Sequence, residues 1–504
     1  MKKAILKKLL LPMASKLTSN KGWDYYKQYI VSDFDPIETR KKRQWNKLKR
    51  LIEHAYTNVP FYRNKFDKAG IKPEHIKDES DFRKIPVTTK KELRDNVSKE
   101  YTIAENYPSK NLRFSNTSGT TGPSLILMHD HEDINYKCAS KLRSRHLMGC
   151  DIEDSIMRIT SNECQPCLPN GESPDVGFLK YLQMVLSNHE YKQQAYYILL
   201  ENKIINPFIH RRHFSKALRT YFNNEDMEHY VKEIKKYKPD MIVGYPLYLF
   251  FIARYIKEKG IKLTPIKAVE LTAGLSFDSM RSFIGEQFKA PVYQIYGGCE
   301  LGRVAGSCVH SNGLMHILED HAYIEFIKSS GEIANPGELS NIIVTSLNSY
   351  GMPFIRYEHG DVGKYFDHQC HCGRSAQLMD VEGRIMDLIV NKDGVPLSSQ
   401  VFIESFLGYK GIKLFQLIQK NLNVLEFRIV KESPLANINI IEINNKIKEI
   451  FGYEVNVEFK YVDYINPAAS GKYRLVRSAT YESFRCVEDK NQEHSNSSVS
   501  IETV

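Results

Sequence analysis

"KPDMIVGYPLYLFFIARYIKEKG", residues 238–260, places a short apolar run, a proline-marked turn and an amphipathic stretch one after another. Met241 to Val243 are apolar without alternation, as in a strand buried on both faces, and the residues from Leu247 onward repeat apolar side chains at helical spacing. "IKAVELTAG" (266–274) and "SFDSMRSFIGEQFK" (276–289) repeat the unit, a buried strand and then an amphipathic helix. This alternation predicts a doubly wound α/β core. Open α/β sheets bind ligands at the carboxyl ends of their strands, so Tyr245, Pro246, Ala273 and Gly274 are the expected lining of a substrate pocket.

Outward from this core the texture changes. Residues 23–110 read as helical segments punctuated by Pro60, Pro73, Pro86 and Pro108. After "PVYQIYGGCE" (291–300), the stretches "HAYIEFI", "GELSNIIVTSL" and "PFIRYEHGDVGKYF" carry β-branched and aromatic residues between glycines, which predicts a distorted β subdomain. The expected organisation is α/β: a helical start (1–110) and a nucleotide- and acid-binding core (111–386) making one large domain, a small α+β domain (387–484), and a polar disordered tail (485–504).

A chain of 504 residues with 42% hydrophobic and 26% charged residues is globular and long enough for two or three domains. The N-terminal "MKKAILKKLLLPMASKLTS" reads as a basic amphipathic helix, because Lys7 and Lys8 interrupt the apolar stretch a signal peptide needs. No apolar run reaches the roughly 20 residues that span a bilayer, so the expected location is cytoplasmic, with at most weak membrane-surface contact. The formal charge of +10 suits anionic partners such as ATP or coenzyme A. Its lysines are dispersed, with no arginine-rich arm, and no nucleic-acid partner is expected. Nine cysteines, an odd count without a secretion signal, argue for buried or metal-bound thiols.

"NTSGTTGPS" (116–124) concentrates donors: Gly119 and Gly122 free the backbone, and Thr117, Ser118, Thr120 and Thr121 add hydroxyls, a set suited to phosphate oxygens. It is followed by "YGGCE" (296–300), "RYEHGDVG" (356–363), "GRIMDLIV" (383–390) and "NPAASGKYR" (466–474). In this order and at these intervals the motifs resemble those of the adenylate-forming superfamily, the acyl-CoA ligases and adenylation domains. "RLIEHAYTNVPFYRNKFDKAGI", "DFRKIPVTTKKELRDN" and "MPFIRYEHGDVG" followed by "CHCGR" are most similar to its phenylacetate-CoA ligase-like branch, which includes proteins of capsular polysaccharide clusters. The resemblance spans nearly the whole chain.

It implies ATP-dependent activation of a carboxylic acid as an acyl-adenylate, then transfer to coenzyme A or to another acceptor such as a sugar or amine. The 117–122 loop would grip phosphates, and Glu300 would ligate Mg²⁺, a hard cation that takes carboxylate oxygens. Tyr296, with Gly297 and Gly274, would flank the nucleotide, and Asp361 and Arg384 would serve it too, Asp361 accepting the two ribose hydroxyls. Lys472 would offset charge on the carboxylate and the bridging phosphate oxygen, and Asp387 would mark the hinge of a mobile small domain. Gly471-Lys472 is not a Walker loop, since Asn466 stands where that pattern needs its first glycine. Two departures stand out: Pro123-Ser124 where many relatives carry a basic residue, and Cys299 where many carry serine or threonine.

Cys308, His310, Cys370 and Cys372 offer three thiols and an imidazole, which Zn²⁺ takes tetrahedrally, and the resemblance implies a structural zinc there. His316 or His371 can stand in for His310, and Cys164 and Cys167 form a competing pair. The alternatives to acyl activation are AMP transfer to a hydroxyl and a non-catalytic nucleotide-binding member of a polysaccharide assembly complex. A homodimer is compatible with all three.

Overall fold

The computed structural model describes residues 21–97, 100–108, 112–117, 125–159, 213–214, 224–384, 387–393, 395–468 and 472–478. They fall into two compact units. The first comprises the described residues within Met1–His359 and Gly363–Val381, and the second those within Gly360–Val362, Glu382–Ala468 and Lys472–Val504.

The first unit begins with helices α1 (Gly22–Ser32) and α2 (Ile37–Asn58). Leu48, Leu51, Ile52 and Ala55 recur at helical spacing on α2, and all four are buried in a core shared with Leu301, Val304, Met315, Ile342 and Val344. Each large apolar side chain buried in this way contributes about 1.5–3 kcal/mol. A hairpin, β1 (Arg113–Asn116) and β2 (Ile126–His129), leads into α3 (His131–Leu147). The alternation read from the sequence follows: β3 (Ile156–Ile159), β4 (Met241–Gly244), α4 (Pro246–Glu258), β5 (Ala268–Leu271), α5 (Asp278–Phe288) and β6 (Val292–Gly298). Strands β3 to β6 pair in parallel, and β4 and β5 are buried at every position, β4 as an unbroken apolar run and β5 with the charged Glu270 inside it.

Beyond β6 the sheet turns antiparallel through β7 (Gly302–Ser307), β8 (Met315–Ile317), β9 (Ala322–Ile327), β10 (Ser340–Ser346), β11 (Tyr357–Phe366) and β12 (Leu378–Arg384). The order is β9-β10-β11-β12-β8-β7-β6-β5-β4-β3, with His213–Phe214 beside β3 and Thr88–Thr89 parallel to β11. Among the described residues this makes a twelve-stranded mixed sheet, which bears out the expected α/β class with a β-rich second half.

The second unit is a small α+β body. Its sheet runs β15-β14-β13-β16, from β13 (Ile412–Asn421), β14 (Val424–Lys431), β15 (Asn456–Tyr461) and β16 (Val476–Ser478). Helices α6 (Ser399–Phe406) and α7 (Ile440–Phe451) accompany it. Phe406, Phe415 and Phe427 meet with ring centroids 5.1–5.8 Å apart and are fully buried, giving the unit its own core. Asn439 caps α7 by accepting the Glu442 N–H, and Gly452 ends it in the left-handed region that glycine favours.

Candidate functional site

The carboxyl ends of β4, β5 and β6 carry the expected ligand-binding residues of the first unit. Tyr245 follows β4 directly and is buried, while Ala273 and Gly274 follow β5 and are exposed. Ala273 holds φ at +60°, and a Cβ on Gly274 would stand 3.0 Å from Pro246 Cδ, so the two loops touch where the sequence placed a pocket.

At the end of β6, "YGGCE" folds as a bulge between Tyr296 and Gly297. Gly297 has φ +152°, and a Cβ there would lie 1.9 Å from the Gly302 carbonyl oxygen; one on Gly298 would lie 2.7 Å from Glu300 Oε2. No other residue type fits at Gly297, and a side chain at Gly298 would displace the Glu300 carboxylate. The bulge sets Glu300, 5% exposed, with Oε2 3.8 Å from His359 Nε2, and the Tyr296 hydroxyl lies 3.3 Å from His359 Nδ1. Burial alone would raise the Glu300 carboxyl, but His359 and the residue's own amide hold it down to about 2. The Tyr296 ring is buried in the main core and meets His359 edge-on. Sequence reasoning missed His359, although it sits inside the quoted "RYEHGDVG"; only folding brings it between Tyr296 and Glu300.

Strand β6 is braced from both sides. Arg303 on β7 grips Glu270 on β5 through two contacts, Nη1–Oε2 at 3.0 Å and Nη2–Oε1 at 2.5 Å, and the Glu270 side chain is fully buried. Thr117 closes the base of the expected phosphate loop: its N–H donates to the Leu125 carbonyl at 3.0 Å, and its Oγ1 accepts the Leu125 N–H at 2.9 Å. Ser118, Gly119, Thr120, Thr121 and Gly122 lie outside the described residues, as do Cys164 and Cys167.

In the second unit Asp361 is buried and pairs with Arg384, Nε to Oδ1 at 3.4 Å. Asp387 is held by Arg474, whose Nε and Nη2 donate to Oδ1 at 2.8 and 2.5 Å. Burial, only partly offset by Arg474, raises the Asp387 carboxyl above its usual range. Sequence analysis did not single out Arg474, which ties the expected hinge residue to the segment carrying Lys472. Lys472 itself is half-buried, and its carbonyl accepts the Ala468 N–H at 2.8 Å.

A separate cluster gathers Cys308, after β7, His316 on β8, and Cys370 and Cys372 between β11 and β12, with ligand atoms all within 4.8 Å of one another. His310 is not in it. That residue is exposed on the turn after Cys308 and contributes only its backbone N–H, which donates to Cys308 Sγ at 3.4 Å. The imidazole in the cluster is that of His316, 1% exposed, because its strand position points it inward. His371 is exposed as well.

Cys308 and Cys370 Sγ are 3.6 Å apart, and His316 Nε2 is 3.3 Å from Cys308 Sγ and 3.5 Å from Cys372 Sγ. Tetrahedral zinc bonds would place sulfurs about 3.8 Å apart, and sulfur and nitrogen about 3.6 Å apart. The set therefore fits a zinc ion. Burial pushes the Cys370 thiol up to about 12 and raises Cys308 too, so these two would ionise only against a cation, while Cys372 is lowered, its burial outweighed by hydrogen bonds from Arg374.

Residues 389–479 match the CapK C-terminal domain family. The chain is 25% identical over 459 residues to the phenylacetate-coenzyme A ligase of Pseudomonas putida, covering 84% of this chain and 92% of that one. It is 23% identical over 482 residues to Protein CapK of Staphylococcus aureus, covering 91% and 95%. A crystal structure of 2-hydroxyisobutyryl-CoA ligase in the postadenylation state shares the fold, with a TM-score of 0.66 at 19% identity over 91% of this chain and 93% of that one. Its thioesterification-state structure aligns with a TM-score of 0.55. The resemblance read from the motifs is thereby borne out.

Proposed function

We propose that this chain, of the phenylacetate-CoA ligase-like and CapK branch of the adenylate-forming ligases, activates a carboxylic acid as its acyl-adenylate and passes the acyl group to coenzyme A or another nucleophile. The observation that carries the proposal is Glu300: a buried carboxylate, ionised down to about pH 2, set by the bulge at the obligatory Gly297 at the end of the last parallel strand. Keeping a buried acid ionised is costly unless a cation or donors meet it, and magnesium bound with ATP phosphates is the hard cation that carboxylates take. Magnesium would neutralise the departing pyrophosphate.

The chain's own residues would do the rest. His359, itself met by the Tyr296 hydroxyl, would orient the Glu300 carboxylate, and Tyr245, Pro246, Ala273 and Gly274 would line the acid's place at the strand ends. Asp361 would accept the ribose hydroxyls, with Arg384 paired to it. Lys472 is assigned the cation that offsets charge developing between carboxylate and α-phosphate. Zinc at Cys308, His316, Cys370 and Cys372 would be structural, a closed four-ligand site without an open position. The resemblance to capsular proteins supports a place in capsular or exopolysaccharide assembly.

Titration of ATP into wild type and Glu300→Gln, with and without Mg²⁺, tests the central assignment. Magnesium should tighten ATP binding to the wild type and do little for the variant. Equal magnesium dependence in both would remove Glu300 from the role.

A further inference from the structure

Three side chains on β1, β2 and α3 have no place in the proposed adenylation chemistry. Ser115 Oγ lies 2.7 Å from His129 Nε2, and His129 Nδ1 lies 2.7 Å from Asp133 Oδ2. His129 and Asp133 are buried, and Ser115 is half-buried. Burial alone would raise the Asp133 carboxyl, but Lys137 and His129 beside it hold it well below the usual range, so it is an acceptor only.

The short contact to Asp133 therefore places the imidazole hydrogen on Nδ1, and Nε2 is left bare to accept from the Ser115 hydroxyl. Lys137 Nζ stands 2.9 Å from Nδ1, with two of its three hydrogens on Asp133 Oδ2 at 2.7 Å and the Cys299 carbonyl at 3.3 Å, and the nearer, charged Asp133 oxygen takes the Nδ1 hydrogen. Burial, with Lys137 adding to it, pushes the His129 imidazole below its ordinary value, so it is neutral at neutral pH. A neutral imidazole with a bare Nε2 on a hydroxyl is a general base in register with its nucleophile.

We propose that Ser115, His129 and Asp133 form a nucleophile, base and orienting acid that make Ser115 reactive toward activated acyl esters. The Ser115 proton passes to His129 Nε2 as the Oγ–C bond forms at the ester carbonyl. The ester C–O bond then breaks, and the leaving alcohol takes that proton. Water, deprotonated by the same nitrogen, attacks the acyl-serine, releasing the acid and restoring Ser115. Lys137 shares the charge of Asp133, which lowers its support for the imidazolium and sets a modest rate. The step needs no ATP and stands apart from adenylation.

The test treats the full chain with a fluorophosphonate and maps the adduct by peptide mass spectrometry. One adduct on Ser115 is expected, forming about 100-fold or more slower in His129→Gln. Should His129→Gln not fold, p-nitrophenyl acetate on wild type and Ser115→Ala decides: a burst of one phenolate per chain in the wild type, absent from the variant. A folded wild type without an adduct on Ser115, an undiminished labelling rate in folded His129→Gln, or a burst that survives Ser115→Ala would each overturn the proposal and leave the three residues as a structural network.

Discussion

His316 and His310 are six positions apart, and only one of them faces Cys308, Cys370 and Cys372. Residue type and spacing admitted both, since a one-residue gap says nothing about whether a side chain turns inward. A strand position does. Elemental analysis of the purified chain should give about one zinc, lost in His316→Ala and retained in His310→Ala. Loss in His310→Ala with retention in His316→Ala would contradict the ligand set. The same limit explains what else was legible at this scale. Glu300, Asp361, Asp387 and Lys472 are named by motif order, whereas His359 and Arg474 act through partners distant in sequence and leave no local signal. The two glycines of "YGGCE" were visible as letters, but their reason, a bulge in the hairpin that follows, appears only once β6 pairs with β7.

Strand β6 carries the acid motif, and the Arg303–Glu270 pair spans it from β7 to β5. Removing the cation takes both direct partners from a fully buried carboxylate and leaves only the charges of Arg145 and Arg158 to offset it, so Arg303→Ala should cost about 3 kcal/mol in denaturant unfolding. A loss under about 1 kcal/mol would show that β6 is not braced this way. Near the same motif, His321 is buried with Nε2 donating to the Leu301 carbonyl at 2.7 Å, and burial holds its pKa at about 4 against an ordinary 6.5. The unfolded chain thus takes up this proton first on acidification: stability is full above pH 6.5 and is lost as pH falls through about 4. His321→Gln removes the titration, and the slope of unfolding free energy against pH over that window should fall by up to one proton. An unchanged slope would place the acid sensitivity elsewhere. Periodicity found β4, β5, α4 and α5, because burial on both faces or on one stripe is written into adjacent residues. It did not find Thr88–Thr89 beside β11, in a stretch read as helical, since that pairing depends on residues about 270 positions away.

Over the whole molecule, five weak motifs in one order indicated the fold, and the chain-length likeness to acyl-CoA ligases agrees with them. The acid is not written in the motifs, because pocket shape is built from strand ends that only the folded sheet brings together. No helix among the described residues is long and apolar enough to cross a membrane. The most direct measurement is pyrophosphate release from ATP and Mg²⁺ against aryl, fatty, hydroxy and amino acids, with Lys472→Ala alongside. Acyl activation requires release that depends on one class of acid and falls by about 100-fold or more in the variant, the scale of losing one transition-state contact. Release that needs no acid, or no release from a chain that binds ATP, would contradict it.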